Sequence, residues 1–368
     1  MPFLAYKKNA AEVIKRLTGF IEGRAQDRIF ASFTLPSNAM KKFKARYAES
    51  FFSEYPDPYE RIEFWEEHLK NRTHLEDDTI PCAYPSEFDQ GLYGGVFGGD
   101  VRFLAMASDG YVSSGWISSM IPPLLRSWAD FSSLEFDEEC IWYKRYERQL
   151  GIMAEKASGK FGISHLILID GLNFVFELVG ATNTYLSIMD NPDMVKKGID
   201  LGFDVNIKIH DTFFRIVPLL EGGTCSWVVP WLPGRIVCES VDPFHMTSID
   251  YFEKWGREPA ERTLSQYDGG VLHIHLNGRH LLETVRTIKG LRAILMVDEK
   301  DHPPAYSILT ELRRRTGELP MSIYVNLKDF VDGLKTHTLT GGTFYYVNGA
   351  GSEDEVNRIM EKVRKYRV

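Results

Sequence analysis

Gly270-Val-Leu-His-Ile-His-Leu-Asn277 alternates apolar and imidazole side chains. Side chains alternate faces along a strand, so His273 and His275 share one face while Leu272, Ile274 and Leu276 share the other. The pattern predicts a short strand, followed at once by a helix over 279–289. In a parallel α/β barrel the apolar face meets the surrounding helices and the other face looks inward. Two imidazoles then point inward near the C-terminal end of the strand, where barrel enzymes place their chemistry. Such a pair suits metal binding or proton transfer, and equally suits hydrogen-bonded core histidines.

The same strand–helix rhythm extends in both directions. Strands are predicted at 28–35, 78–85, 164–169 and 224–229 before the histidine strand, and at 293–297, 321–325 and 343–347 after it. Helices are predicted between them, the last over 353–365. Eight such units predict one (β/α)8 TIM barrel spanning 1–368, with N-terminal helices and an irregular, aromatic-rich insertion around 84–160. A doubly wound open sheet is the alternative, but it normally carries an early Gly-rich turn that is absent here. Within the insertion, five glycines between Gly91 and Gly99 predict a loop. They do not form a phosphate-binding fingerprint.

Composition narrows the function classes. A net charge of −8 without a long basic run argues against nucleic acid as a partner. No apolar stretch approaches the length of a membrane span, and Met1 to Lys8 carries no signal-peptide hydrophobic run. Cys82, Cys140, Cys225 and Cys238 are scattered without a CxxC pair, which points to a reducing, cytoplasmic setting. The expected assembly is a monomer or homodimer. An aromatic share of 13% suits a large core and also a pocket for a flat organic ligand.

If the fold is a barrel, residues just past the strands form the site. Asp77 and Asp78, Asp170 with Asn173, Glu239, Asp298 with Glu299, Asn326 and Asn348 join the two histidines there. Isolated carboxylates after strands are commonly helix caps or solvated loop residues. Glu239 follows Cys238 in Pro233-Gly-Arg-Ile-Val-Cys-Glu-Ser-Val-Asp242, the segment that joins the fourth strand to a helix, and adjacent barrel strands would bring this loop close to His275. Carboxylate and imidazole at neighbouring strand ends suit Zn²⁺. Glu253, in the intervening helix, is the candidate third ligand, and a solvated helix residue is its other reading. Trp227, Trp231, Phe344 and Tyr346 are candidates for a ring pocket, or plain core packing.

Asp77-Asp-Thr-Ile-Pro81, Gly94-Gly-Val-Phe-Gly98, Asp170-Gly-Leu-Asn-Phe-Val-Phe-Glu-Leu-Val-Gly180 and His273-Ile-His-Leu-Asn-Gly278 resemble segments of the uroporphyrinogen decarboxylase-like superfamily. The resemblance implies a (β/α)8 barrel. It also implies a decarboxylase, a zinc-dependent methyltransferase working with a corrinoid (cobalamin) protein, or a methionine synthase. The decarboxylase branch carries an arginine-rich segment near its first strand, where this chain has Leu35-Pro-Ser-Asn-Ala-Met-Lys-Lys. The methanol- and methylamine-type methyltransferases use cysteine ligands, which His275 and Asn348 replace here. The aryl-ether O-demethylase branch carries a Glu…Glu…His zinc pattern, and Glu239 and His275 match its outer positions. They are 36 apart (275 − 239). Glu253 lies one residue from the middle position, which Lys254 occupies.

That branch implies methyl transfer from an aryl methyl ether to the cobalt of a corrinoid protein. Glu239, Glu253 and His275 would hold Zn²⁺, and Glu239, His273 and His275 would take part in catalysis. Trp227, Trp231, Asp170, Asn173 and Tyr346 would contact the substrate. The alternatives are a lyase of the same superfamily acting on another carboxylate substrate, and a non-catalytic corrinoid- or ligand-binding barrel.

Overall fold

The protein is described from a computed structural model, which covers residues 4–47, 51–106 and 115–368. Its centre is a six-stranded parallel sheet. The strand order is Ile29–Phe33, Thr343–Asn348, Met321–Asn326, Leu291–Met296, Gly270–Ile274 and Val237–Glu239. Ile29–Phe33, Gly270–Ile274 and Val237–Glu239 are buried throughout, as strands covered on both faces must be. Every parallel pairing needs a crossover, and the helices between these strands supply it.

Local chemistry places the helices. Asp57 caps Pro58–Lys70 by accepting from Tyr59 N and Glu60 N, with Pro58 in the first turn. Ser352 caps Glu353–Lys365, whose acidic first turn and basic last turn both complement the helix dipole. The long helix Pro192–Ile216 packs on Gly171–Val179, and Gly202 permits the approach: a Cβ there would lie 2.8 Å from Phe174 Cβ.

Both edges of the six-stranded sheet are hydrogen-bonded to further chain. At one edge, Asp78 N donates to Ala31 O at 2.8 Å, and the Asp78 carboxylate accepts from Ala31 N. At the other, Ile167 bridges Cys238 in parallel, and Leu168 N donates to Cys238 O at 2.7 Å. Those two flanking stretches contain the short strands Cys82–Ala83 and Gly162–Ile163, which pair with each other. The α/β class and the parallel order therefore agree with the sequence reading over this region, except at the fourth strand.

Three expectations need correction. The fourth strand, expected at 224–229, lies outside the six-stranded sheet: Gly223–Cys225 pairs antiparallel with Trp231–Pro233, and Val237–Glu239 takes the place beside Gly270–Ile274. The glycine-rich stretch is not a loop at its start: Gln90–Gly95 is a helix. Its glycines are packing positions, since a Cβ on Gly91 would lie 2.7 Å from Ser119 Cβ and one on Gly94 would strike Ile121. The irregular insertion is also more ordered than expected. It holds the antiparallel strands Arg102–Met106 and Trp116–Met120 and the helix Ile141–Ala157 of 17 residues. Phe43, Val101, Phe103, Ala105 and Ile117 form a small separate core beneath that hairpin. Smaller boundary shifts include the helix expected near 247–267, which breaks into Ile249–Trp255 and Arg257–Leu264, and the 279–289 helix, which is replaced by a 3₁₀ turn over Leu276–Leu281 and one α-helical turn, Leu282–Val285.

Candidate metal centre

His273 lies on the Gly270–Ile274 strand and His275 one residue beyond its end. The neighbouring strand Val237–Glu239 ends in the segment Ser240-Val-Asp242, which opens a short 3₁₀ turn over Asp242–Met246. This brings Asp242 against both histidines. Asp242 Oδ1 is 3.3 Å from His273 Nε2, and Asp242 Oδ2 is 3.8 Å from His275 Nε2. One ligand atom from each of the three residues lies within 4.8 Å of the others. A tetrahedral zinc ion with bonds near 2.1 Å holds its ligand atoms ~3.4 Å apart, and the two carboxylate–imidazole separations are close to that spacing.

One unpaired atom points the same way. Asp242 Oδ1, which faces the cluster, is buried with no hydrogen-bond partner among the described residues. Burial works against the charged form of Asp242, but the imidazoles of His273, His275 and His245 outweigh it and hold the carboxyl well below its usual range. The group therefore stays an anionic ligand. His275 Nδ1 is 2.5 Å from Glu299 Oε1. A carboxylate on Nδ1 favours the tautomer that leaves Nε2 free to ligate. His245 stands behind Asp242, with Nδ1 3.7 Å from Oδ1. Burial lowers His245 to about 4, so it is neutral at ordinary pH. Gly278 makes room for it: a Cβ there would lie 2.1 Å from His245 Cδ2.

The three residues face a cavity of about 270 Å³. Trp116, Trp227, Ile167, Ile169, Val297 and Tyr324 supply apolar walls. The Trp227 ring is 5.3 Å from that of His273 and 6.3 Å from that of Trp116. Asp89 lines the same cavity and is buried. Burial pushes its carboxyl up to about 6, against donations from Ser118 Oγ, Ser119 N and Gln90 N. That places its proton exchange close to neutrality.

The remaining site candidates lie elsewhere. Glu239 is buried beside the site, accepting from Ser240 N at 2.9 Å, and its Oε2 has no partner among the described residues. Burial and the nearby Asp170 push its carboxyl well above the usual range. Glu253 sits on the exposed side of Ile249–Trp255 and is held by Arg257 at 2.6 and 2.8 Å. Asp170 caps Gly171–Val179 and accepts from Thr263 Oγ1. Asn173 donates to Ser240 O at 3.0 Å. Trp231 is buried in a hairpin and donates to Leu220 O. Tyr346 donates to Trp227 O at 3.0 Å, and so supports the pocket wall from behind. Asp242 is the residue that sequence reasoning passed over. Its only signal was the Asp242-Pro243 step, three residues beyond Glu239, which reads first as a helix cap.

No protein-family model matches the sequence, and no curated protein matches it. Among solved structures, the chain is similar in fold to a methyltransferase from Methanosarcina mazei, with a TM-score of 0.58 at 12% sequence identity. The match covers 96% of this chain and 98% of that one. At that identity the likeness is one of fold.

Proposed function

We propose that the protein is a metal-dependent methyltransferase built on an eight-staved barrel, which takes the methyl group of an aryl methyl ether. The barrel reading rests on the edge hydrogen bonds: the segments around Asp78–Ala83 and Gly162–Ile169 supply two staves between the ends of the six-stranded sheet. The observation that carries the function is the Asp242–His273–His275 cluster facing an aromatic-walled cavity at the C-terminal ends of parallel strands. The acceptor is the cobalt of a corrinoid protein, and the solved methyltransferase of similar fold supports the transfer class.

Phenolate, with a parent pKa near 10, is a poor leaving group. Asp242, His273 and His275 would hold a Zn²⁺ ion, which would supply Lewis acidity toward the ether oxygen. The chain's own residues do the rest. Glu299 orients His275, and His245 buttresses Asp242 while staying neutral. Trp116 and Trp227 confine a flat ring beside the cluster. The cavity lies just below the range of ~300–1,000 Å³ common for drug-sized ligands, which favours a single ring over a tetrapyrrole.

The test is to supply zinc-loaded protein with a methoxylated aromatic and a reduced Co(I) corrinoid. Phenol release with methyl–cobalt formation is the expected result. Carbon dioxide release without methyl transfer would place the chain with the lyases instead.

A further inference from the structure

A second chamber, about 90 Å³, lies at the same end of the sheet. It is bounded by the ends of the first and last central strands and shares Tyr324 with the larger cavity. Trp65 and His68 line it from adjacent turns of the helix Pro58–Lys70, and Arg72 follows from the turn beyond. Trp65 Nε1, His68 Nδ1 and Arg72 Nε are all buried without a hydrogen-bond partner among the described residues. The tryptophan and arginine nitrogens can only donate. Buried donors left unpaired are costly, so their gathering in one chamber calls for an acceptor.

Charge says which kind. Arg72 Nη2 donates to Phe33 O, Thr79 Oγ1 and Asp77 Oδ2 at 2.9, 3.0 and 3.1 Å. The same Asp77 is shared with Lys7, which is fully buried. Lys7 Nζ meets three acceptors, Leu75 O, Asp77 O and Asp77 Oδ1, at 2.6, 2.9 and 2.6 Å. Three acceptors match the three protons of an ammonium group. Burial lowers the Lys7 pKa and Asp77 works against that; with Lys7 holding the three protons that its three acceptors match, two cations share one carboxylate and one positive charge is left over. Among the described residues, Arg72 is the only charged side chain that lines the chamber. Water would satisfy the donors, but it would leave that charge uncompensated in a poorly solvated place.

We propose that this chamber binds a carboxylate, and that the carboxylate belongs to the substrate whose ring occupies the larger cavity. A single negative charge completes the Lys7–Asp77–Arg72 cluster, and a group of two oxygens suits the small volume. Arg72 and Trp65 supply donors from one side, and Tyr324 lines both chambers. Assigning the carboxylate to the substrate rests on the methyltransferase reading. The anion site itself rests only on the donors and the charge.

Binding of benzoate and benzamide, measured by isothermal titration before and after chelator treatment, tests this. Benzoate should bind in both states, and benzamide at least tenfold more weakly. Arg72→Gln should weaken benzoate at least tenfold. Because Arg72 also holds Asp77, Trp65→Phe provides a second variant that keeps the ring and removes one donor, and it should weaken benzoate about three- to tenfold. Equal affinity for benzoate and benzamide, or unchanged benzoate affinity in a folded Trp65→Phe protein, would overturn the proposal. Methyl transfer that fails while benzoate still binds would reject the reaction, and with it the substrate assignment, but leave the anion site standing. Benzoate that fails to bind while methyl transfer proceeds would reject the chamber alone.

Discussion

Glu299 Oε1 lies 2.5 Å from His275 Nδ1, on the side of the ring away from Asp242. The pair is only part-buried, yet it fixes which imidazole nitrogen faces the cluster. Carboxylates in this relation to a metal-binding histidine typically account for 10–100-fold in metal affinity. Glu299→Ala should therefore weaken zinc binding by about that factor without changing the melting temperature greatly. Competition with a chromophoric chelator measures it. Unaltered affinity would mean that His275 is oriented by its backbone alone.

Gly278 bears on the same site through space rather than charge. Its absent Cβ would fall 2.1–2.6 Å from three atoms of the His245 ring. Gly278→Ala should push His245 toward Asp242, destabilising the fold by about 1–3 kcal/mol and reducing zinc occupancy. Thermal unfolding and metal content, read on the same sample, check both effects. A variant with native stability and full occupancy would show that the ring has slack that the structure does not suggest.

Glu177 offers a prediction independent of the metal. Burial, with a smaller contribution from Asp89, raises its carboxyl to about 8, and Oε2 has no partner among the described residues. Between about pH 4.5 and 8 the folded state holds a proton that the unfolded state has released. Stability should therefore fall as pH rises through that window. Glu177→Gln removes the ionisation while keeping the shape. It should raise stability at pH 8.5 on the order of 1–3 kcal/mol and change it little at pH 4. Urea unfolding at the two pH values decides the matter, and an equal effect at both would contradict the account.

The histidine strand was legible because period-two alternation is a backbone property that survives without tertiary information. Ile29–Phe33, Leu291–Met296, Met321–Asn326 and Thr343–Asn348 were legible as short apolar runs, whereas Val237–Glu239 was not. Asp242 was not. Its role depends on a chain turn after Val237–Glu239 that carries it to the end of the next strand, and no local spacing encodes that approach. Glu253 shows the converse: a spacing drew attention to it, while an i,i+4 partner, Arg257, holds its carboxylate on the exposed helix face. The helix Gln90–Gly95 was read as loop because glycine propensity is low, and close packing against Ser119 and Ile121 overrides that propensity.

The central claim is that Asp242, His273 and His275 hold one metal ion. Elemental analysis of purified, zinc-loaded wild-type protein should give about one zinc per chain. Asp242→Ala should lose most of it while remaining folded, and Glu253→Gln should keep it, because Glu253 is engaged with Arg257. Wild-type zinc content in Asp242→Ala, or loss of zinc in Glu253→Gln, would contradict the account.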